Sequence, residues 1–197
     1  MNFDNFFDTK IILENEQVQL SPLLPQHFDE LLPIALDKSL WQFTTAKINS
    51  AAGFKVYFDV ALREREQKKS YPFVIFDKIN KEFAGSTRFG NIDFKHKRTE
   101  IGWSWLRTSL HGTGFNRQCK FLLLSYAFET LLLNRVELKT NVLNYRSQKA
   151  MRKLGAVEEG VFRKHIINDD ETVRNSMFFS FINDEWLATK EKCFSGL

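Results

Sequence analysis

Cysteine is scarce in this chain, and the scarcity closes off two kinds of chemistry. Only Cys119 and Cys193 occur. They form no C-x-x-C pair, so their spacing offers neither a disulfide framework nor a metal or redox site. Two isolated thiols suit a reducing compartment. Long apolar runs are missing too, and no stretch reaches the roughly 20 residues that a membrane-spanning helix needs. The first ten residues, MNFDNFFDTK, carry acids and asparagines where a secretory leader has a basic start and an apolar run. A cytoplasmic location is therefore the expectation. There is no internal repeat, low-complexity tract or linker. The excess of basic over acidic side chains is only +4. So small a surplus does not call for nucleic acid, and it also suits a small ligand carrying several phosphates.

What is present is a folding composition. Apolar residues make up 43% of 197 residues, and phenylalanine alone occurs 20 times. Disorder needs the opposite balance. The length suits a single domain, 1–197.

The pattern along the chain alternates between two periods. Val18–Leu20 reads as a short first strand ended by Ser21-Pro22. Residues Pro25–Leu36 place Phe28, Leu31, Leu32 and Leu36 at helical spacing. Ser50 is placed to cap a second helix from Ala51 to about Lys68, with a stripe of Phe54, Phe58, Ala61 and Leu62. YPFVIFD (Tyr71–Asp77), EFAGSTRFGNI (Glu82–Ile92) and the run from Arg98 to Leu106 then read as an antiparallel meander. The Lys95–Arg98 basic cluster reads as a solvated hairpin tip. From Gly114 to Leu133 apolar residues surround the helical wheel, which predicts a buried helix. Arg135–Thr140 is a strand. Residues Arg146–Leu154 form a helix with a basic outer face of Arg146, Lys149, Arg152 and Lys153, capped by Gly155. Two more strands, Val161–Ile167 and Val173–Phe181, flank the Asn168-Asp169-Asp170 turn, and NDEWLATKEK closes as a helix. Strand, buried helix, strand is a crossover, so its two strands should be parallel in an otherwise antiparallel sheet. The expected fold class is α/β, a mixed sheet of six to seven strands flanked by helices. Such a switch point favours a ligand cleft.

The chemistry concentrates in WLRTSLHGTGFNR, Trp105–Arg117. A strand ends, two glycines follow, and the buried helix begins. Gly112 and Gly114 let a backbone approach a ligand closely. The free N–H groups at a helix start favour an anion. A plain turn is the competing reading of a bare G-x-G.

Here the chain resembles the GCN5-related N-acetyltransferases. Their coenzyme A loop reads Gln or Arg, two residues, Gly, one residue, then Gly or Ala. This chain has His111-Gly112-Thr113-Gly114-Phe115-Asn116. Gly114 matches the central glycine, while His111 and Asn116 depart from the usual types. Downstream, Asn134-Arg135-Val136-Glu137-Leu138, Asn144, Ser147, Lys153-Leu154-Gly155 and Glu159-Gly160 resemble the branch that acetylates N-terminal amines of ribosomal proteins. The resemblance runs from about Val18 to Trp186 and is strongest from Glu100 to Arg163.

The resemblance implies an acetyl-coenzyme A cosubstrate, no metal, and an amine acceptor: a protein N-terminus or a small amine, met by a monomer or homodimer. It assigns the loop His111–Asn116, with Arg117 and Asn144, to the cofactor. It gives the acetyl oxygen a main-chain N–H of Trp105 or Leu106 beside a bulge that Gly102 is suited to permit. An amine must lose a proton before attack, and Glu100 is the first candidate to take it, with His165 in reserve. The bland reading of Glu100 is a surface carboxylate paired with Arg98 or Arg88. Many members protonate the leaving thiolate with a tyrosine, and Met151 stands at that position here. Ser147 matches a serine that contacts the sulfur, and it reads equally well as a helix cap. Trp103 and Trp105 read as core or cleft-wall aromatics. Cys119, inside an apolar helix, reads as a core residue. The competing class is a non-catalytic acetyl-CoA-binding or basic nucleic-acid-associated module of the same fold.

Overall fold

The computed structural model describes Phe3 and residues 5–197. Eight strands form one sheet: β1 (Leu13–Glu14), β2 (Val18–Pro22), β3 (Tyr71–Asp77), β4 (Glu82–Asp93), β5 (Arg98–Leu106), β6 (Arg135–Asn141), β7 (Val157–Ile167) and β8 (Val173–Ile182). Their spatial order is β1-β2-β3-β4-β5-β6-β8-β7. Only β5 and β6 run parallel, and every other neighbour is antiparallel. The crossover topology is therefore as expected. The sheet has one strand more than expected, because Leu13–Glu14 adds a two-residue edge to β2. Strand β7 also starts earlier than its β-branched run suggests, at Val157.

Five α-helices flank the sheet: α1 (Phe28–Ala35), α2 (Ala51–Glu66), α3 (Phe115–Ser125), α4 (Tyr145–Lys153) and α5 (Asn183–Phe194). The Ser50 hydroxyl accepts the Gly53 N–H at 3.1 Å and starts α2. Gly155, at φ +88°, supplies the left-handed residue beyond α4. The helix expected over 114–133 is shorter. After Ser125 the backbone widens into a π turn over Tyr126–Thr130, and Leu132 turns left-handed at φ +53°. Apolarity all round a segment reports burial, and it says little about where the helical hydrogen bonding stops.

The sheet separates two cores. One face packs α3 and α5 through Phe115, Cys119, Leu123, Leu124, Phe179 and Trp186. The other packs α1 and α2 through Leu31, Phe54, Phe58, Val74 and Trp105. Among the described residues no helix is long and apolar enough to cross a membrane.

Candidate active site

Strands β5 and β6 pair only through Arg98–Arg135, Thr99–Val136 and Glu100–Glu137. Beyond Glu100 they part, although β5 continues to Leu106 and β6 to Asn141. The backbone edges facing this gap lack a partner strand, and unpaired edges are available to a ligand. A bulge sits on the β5 wall of the gap. Ser86 pairs with Trp105 and Arg88 with Gly102, so Trp103 and Ser104 together oppose Thr87. The left-handed residue is Trp103 at φ +50°, and Gly102 is not one of the positive-φ residues. Gly102 has another use. A Cβ there would stand 2.8 Å from Glu100 Oε1, so the glycine leaves room for that carboxylate.

The two faces of the gap differ in chemistry. On the α1–α2 face, Glu100 is 3% exposed. Its Oε2 accepts from Lys139 Nζ at 2.8 Å and from Asn91 Nδ2 at 2.7 Å. The pairings with Arg98 or Arg88 do not form. Arg98 reaches Asp93 and Glu137, and Arg88 reaches Glu64 across to α2. Glu100 is thus a buried carboxylate with one oxygen anchored and the other directed toward the bulge. Trp103 lies near two cations, with Arg88 Cζ at 5.6 Å and Lys139 Nζ at 5.8 Å from its ring. His165 stands close enough to feel Glu100, Lys139 and Arg174. Burial above all, then Lys139 and Arg174, pulls its pKa below the ordinary imidazole value, while Glu100 opposes. Among the described residues its Nδ1 is buried without a partner. The β7–β8 hairpin closes this side, because Asp169 N–H donates to Thr45 O and the Arg174 guanidinium to Phe43 O.

On the α3–α4 face lies the glycine loop. Gly112 and Gly114 adopt φ +80° and +92°, and no protein atom lies within 4 Å of where a Cβ would project. Conformation, not packing, requires glycine here. Thr113 Oγ1 accepts the Phe115 N–H at 3.3 Å and donates to Leu110 O. Among the described residues no protein acceptor takes the N–H of Gly112, Thr113, Gly114 or Asn116. His111 pins the loop from behind. Its Nε2–H donates to Leu106 O and its Nδ1 accepts from Arg146, both at 3.0 Å. Burial first, then Arg146, lowers its pKa, which agrees with a neutral ring serving as donor and acceptor. Phe115 is buried in the core. Arg117 turns away from the loop, donating to the carbonyls of Cys193 and Ser195.

Asn144, not Ser147, caps α4: its Oδ1 accepts the Ser147 N–H at 3.1 Å. The cap reading of Ser147 therefore falls, and its hydroxyl is left free for other work. Met151 packs against the larger core. Trp105 is likewise a core residue, against Trp41 and Phe54. Cys119 is 1% exposed, and burial pushes its thiol up to about 12, so it is no nucleophile.

Sequence reasoning passed over Lys120. It lies in α3, is 6% exposed, and donates to Ser104 Oγ at 2.8 Å. The signal was a lone charge inside an apolar stripe, four residues before the buried Leu124.

A profile of the acetyltransferase (GNAT) domain matches residues 17–157. The chain belongs to the GNAT acetyltransferase family. Among its relatives is YdaF of Bacillus subtilis (strain 168), named provisionally a ribosomal N-acetyltransferase. It is 29% identical over 107 residues, 54% of this chain and 57% of that protein. The chain spans little more than half the length of the curated relatives it matches. A GCN5-related N-acetyltransferase from Brucella melitensis superimposes with a TM-score of 0.85 at 26% identity, over 93% of this chain and 83% of that one. The Salmonella typhimurium acetyl transferase that modifies the N-terminal serine of ribosomal protein L7/L12 shares the fold. It covers 87% of this chain and 99% of its own, with TM-score 0.76 and 20% identity.

Proposed function

We propose that this GNAT protein moves an acetyl group from acetyl-CoA to a primary amine by direct attack. The carrying observation is the gap between β5 and β6, which joins a face suited to a polyphosphate carrier to one suited to an amine. The loop from Gly112 to Asn116 offers free N–H groups to the pyrophosphate. Main-chain N–H groups past the Trp103–Ser104 bulge, toward Trp105 and Leu106, are the donors for the acetyl oxygen. Glu100 Oε1 takes the amine proton, directly or through water. Asn144 and Ser147 meet the cofactor where α4 begins. The acceptor is a protein N-terminus or a small amine. YdaF's name favours the first, and the buried polar cluster around Glu100 suits either.

Saturating acetyl-CoA is expected to raise the melting temperature. At a hundredfold excess over Kd the linkage is about 2.7 kcal/mol. For a chain of this size that is roughly 5–10 °C. Gly114→Val should abolish the shift, judged against the variant's own lowered baseline, because valine is strained at φ +92° and blocks the loop. An unshifted wild type would dismiss the cofactor assignment. A screen of amines by CoA release then identifies the acceptor, and binding without release for any amine would favour the non-catalytic module.

Ser147→Ala should lower kcat a few-fold, on the order of one hydrogen bond, with acetyl-CoA affinity little changed. It should leave stability alone, because Asn144 does the capping. Wild-type kinetics for this variant would remove Ser147 from the reaction.

A further inference from the structure

Resting on the acetyl-transfer reading, we propose that Ser104 protonates the departing thiolate of CoA and that Lys120 is the positioning residue that restores its proton. The phenol that many family members use is replaced by Met151, so the proton must come from a hydroxyl, and Ser104, unlike Ser147, has a cation behind it to restore one. The Ser104–Lys120 pair is built for that task. Ser104 is the exposed residue of the bulge on the gap wall. Its oxygen accepts from Lys120 Nζ at 2.8 Å, it shares a hydrogen bond with Thr87 Oγ1 at 2.7 Å, and its proton has Gly102 O at 3.3 Å, a long bond it can give up to the sulfur. The bond to Lys120 places Ser104 Oγ on the same face as the glycine loop and Ser147. A pantetheine arm entering from Gly112–Gly114 passes this wall on its way to the bulge.

Burial leaves Lys120 short of partners. A buried ammonium carries three donors, and a single hydroxyl satisfies one of them. No carboxylate lies within 4.0 Å of it among the described residues. Around α3, Glu14 of β1 is taken by Lys78 and Glu129 by Lys190. The ionisable neighbour acting on Lys120 is Cys119, whose thiol stays neutral. Burial pulls the lysine down to about 8, which makes it a proton donor near neutral pH.

The step balances. The amine nitrogen attacks the carbonyl carbon, and its proton goes to Glu100. The carbon–sulfur bond breaks with its electron pair on sulfur. Ser104 Oγ–H passes its proton to sulfur and takes one from Lys120 Nζ. The neutral lysine regains a proton from solvent as Glu100 releases one.

The test compares Lys120→Met, Ser104→Ala and Ser104→Thr in the full chain, by CoA release with an acceptor from the amine screen. Lys120→Met and Ser104→Ala should each lose about tenfold or more in kcat, with the KM for acetyl-CoA unchanged. Ser104→Thr keeps a hydroxyl and should stay near wild type. Wild-type kcat should fall as pH rises through about 8, because a cation that has lost its proton cannot donate, and this fall should vanish in Lys120→Met. Removing a poorly paired buried charge should leave that variant at least as heat-stable as wild type. Unchanged kcat in Ser104→Ala overturns the proposal. So does a raised KM for acetyl-CoA with intact kcat, which would make Lys120 a pantetheine contact. Should Lys120→Met fail to fold, the two Ser104 variants decide. If the wild type neither binds acetyl-CoA nor releases CoA, the acetyl-transfer reading falls first and this proposal with it. Turnover in wild type with indifferent variants sinks this proposal alone.

Discussion

Glu100→Gln is expected to lose about tenfold to a thousandfold in turnover near neutral pH, the usual worth of a positioned acid or base. The acceptor explains the range. An α-amine has a pKa of about 8 and an alkyl amine of about 10, so at neutral pH either is mostly ammonium. A base matters most in that regime, and the deficit should shrink as pH approaches the acceptor's own pKa. The geometry favours Glu100 because its two oxygens are unequal. Lys139 and Asn91 hold Oε2, while Oε1 points along β5 toward the bulge over Gly102. Glutamine keeps the size and the Asn91 contact but leaves Lys139 without its counter-charge. Breaking a fully buried pair costs roughly 3–5 kcal/mol. Lys139 is 18% exposed and can reach water, so the loss should be smaller, and the assay belongs well below the variant's melting point. His165→Gln is the control and should keep most of the activity. A collapse of His165→Gln beside an active Glu100→Gln would transfer the base to His165. A uniform loss across pH with weaker acceptor binding would make Glu100 an ammonium-binding group.

The fold was legible because its signals are local. The β-branched and aromatic run YPFVIFD, the Ser50 cap and the strand–buried helix–strand run each settle one element, and the crossover then forces the parallel β5–β6 pair. The two-residue β1 was not legible, since Leu13–Glu14 exists only as an edge laid on β2. At the site, the glycine loop could be read from the chain because φ above zero demands a residue type. The bulge falls inside GWSWL, the segment where Gly102 makes one expected. Glycine was assumed to carry the left-handed backbone, whereas Trp103 carries it, with its ring lying over Gly90, where a Cβ would come within 2.3 Å. Pairings were the least legible. Whether Glu100 meets Arg88, Arg98 or Lys139 depends on sheet register and side-chain reach, and the sequence encodes neither directly. Lys120 was hidden because a lysine in an amphipathic helix is ordinarily on the wet side.

Arg88→Ala should be among the most destabilising single changes in the molecule, at about 3–5 kcal/mol. Its side chain is 2% exposed in the middle of β4. It reaches Glu64 Oε2 on α2 at 3.1 Å, and Ser70 Oγ donates to the same oxygen at 2.7 Å. The guanidinium also lies 4.9 Å from the Tyr57 ring centroid and 5.6 Å from that of Trp103. Arg88 therefore ties α2, the sheet and the bulge residue together. Alanine would leave a cavity under Trp103 and free α2 from the strand. At roughly 2–4 °C per kcal/mol for a chain of this length, the melting temperature should fall by about 6–20 °C. Volume and charge can be separated with Arg88→Met, which fills most of the space. Glu64 is 30% exposed and can be hydrated once unpaired, so methionine should cost far less than alanine. If methionine proves as damaging as alanine, the ion pair and not the packing sustains this region. If alanine costs under about 1 kcal/mol, as an ordinary surface substitution does, Arg88 has no part in holding Trp103 in place.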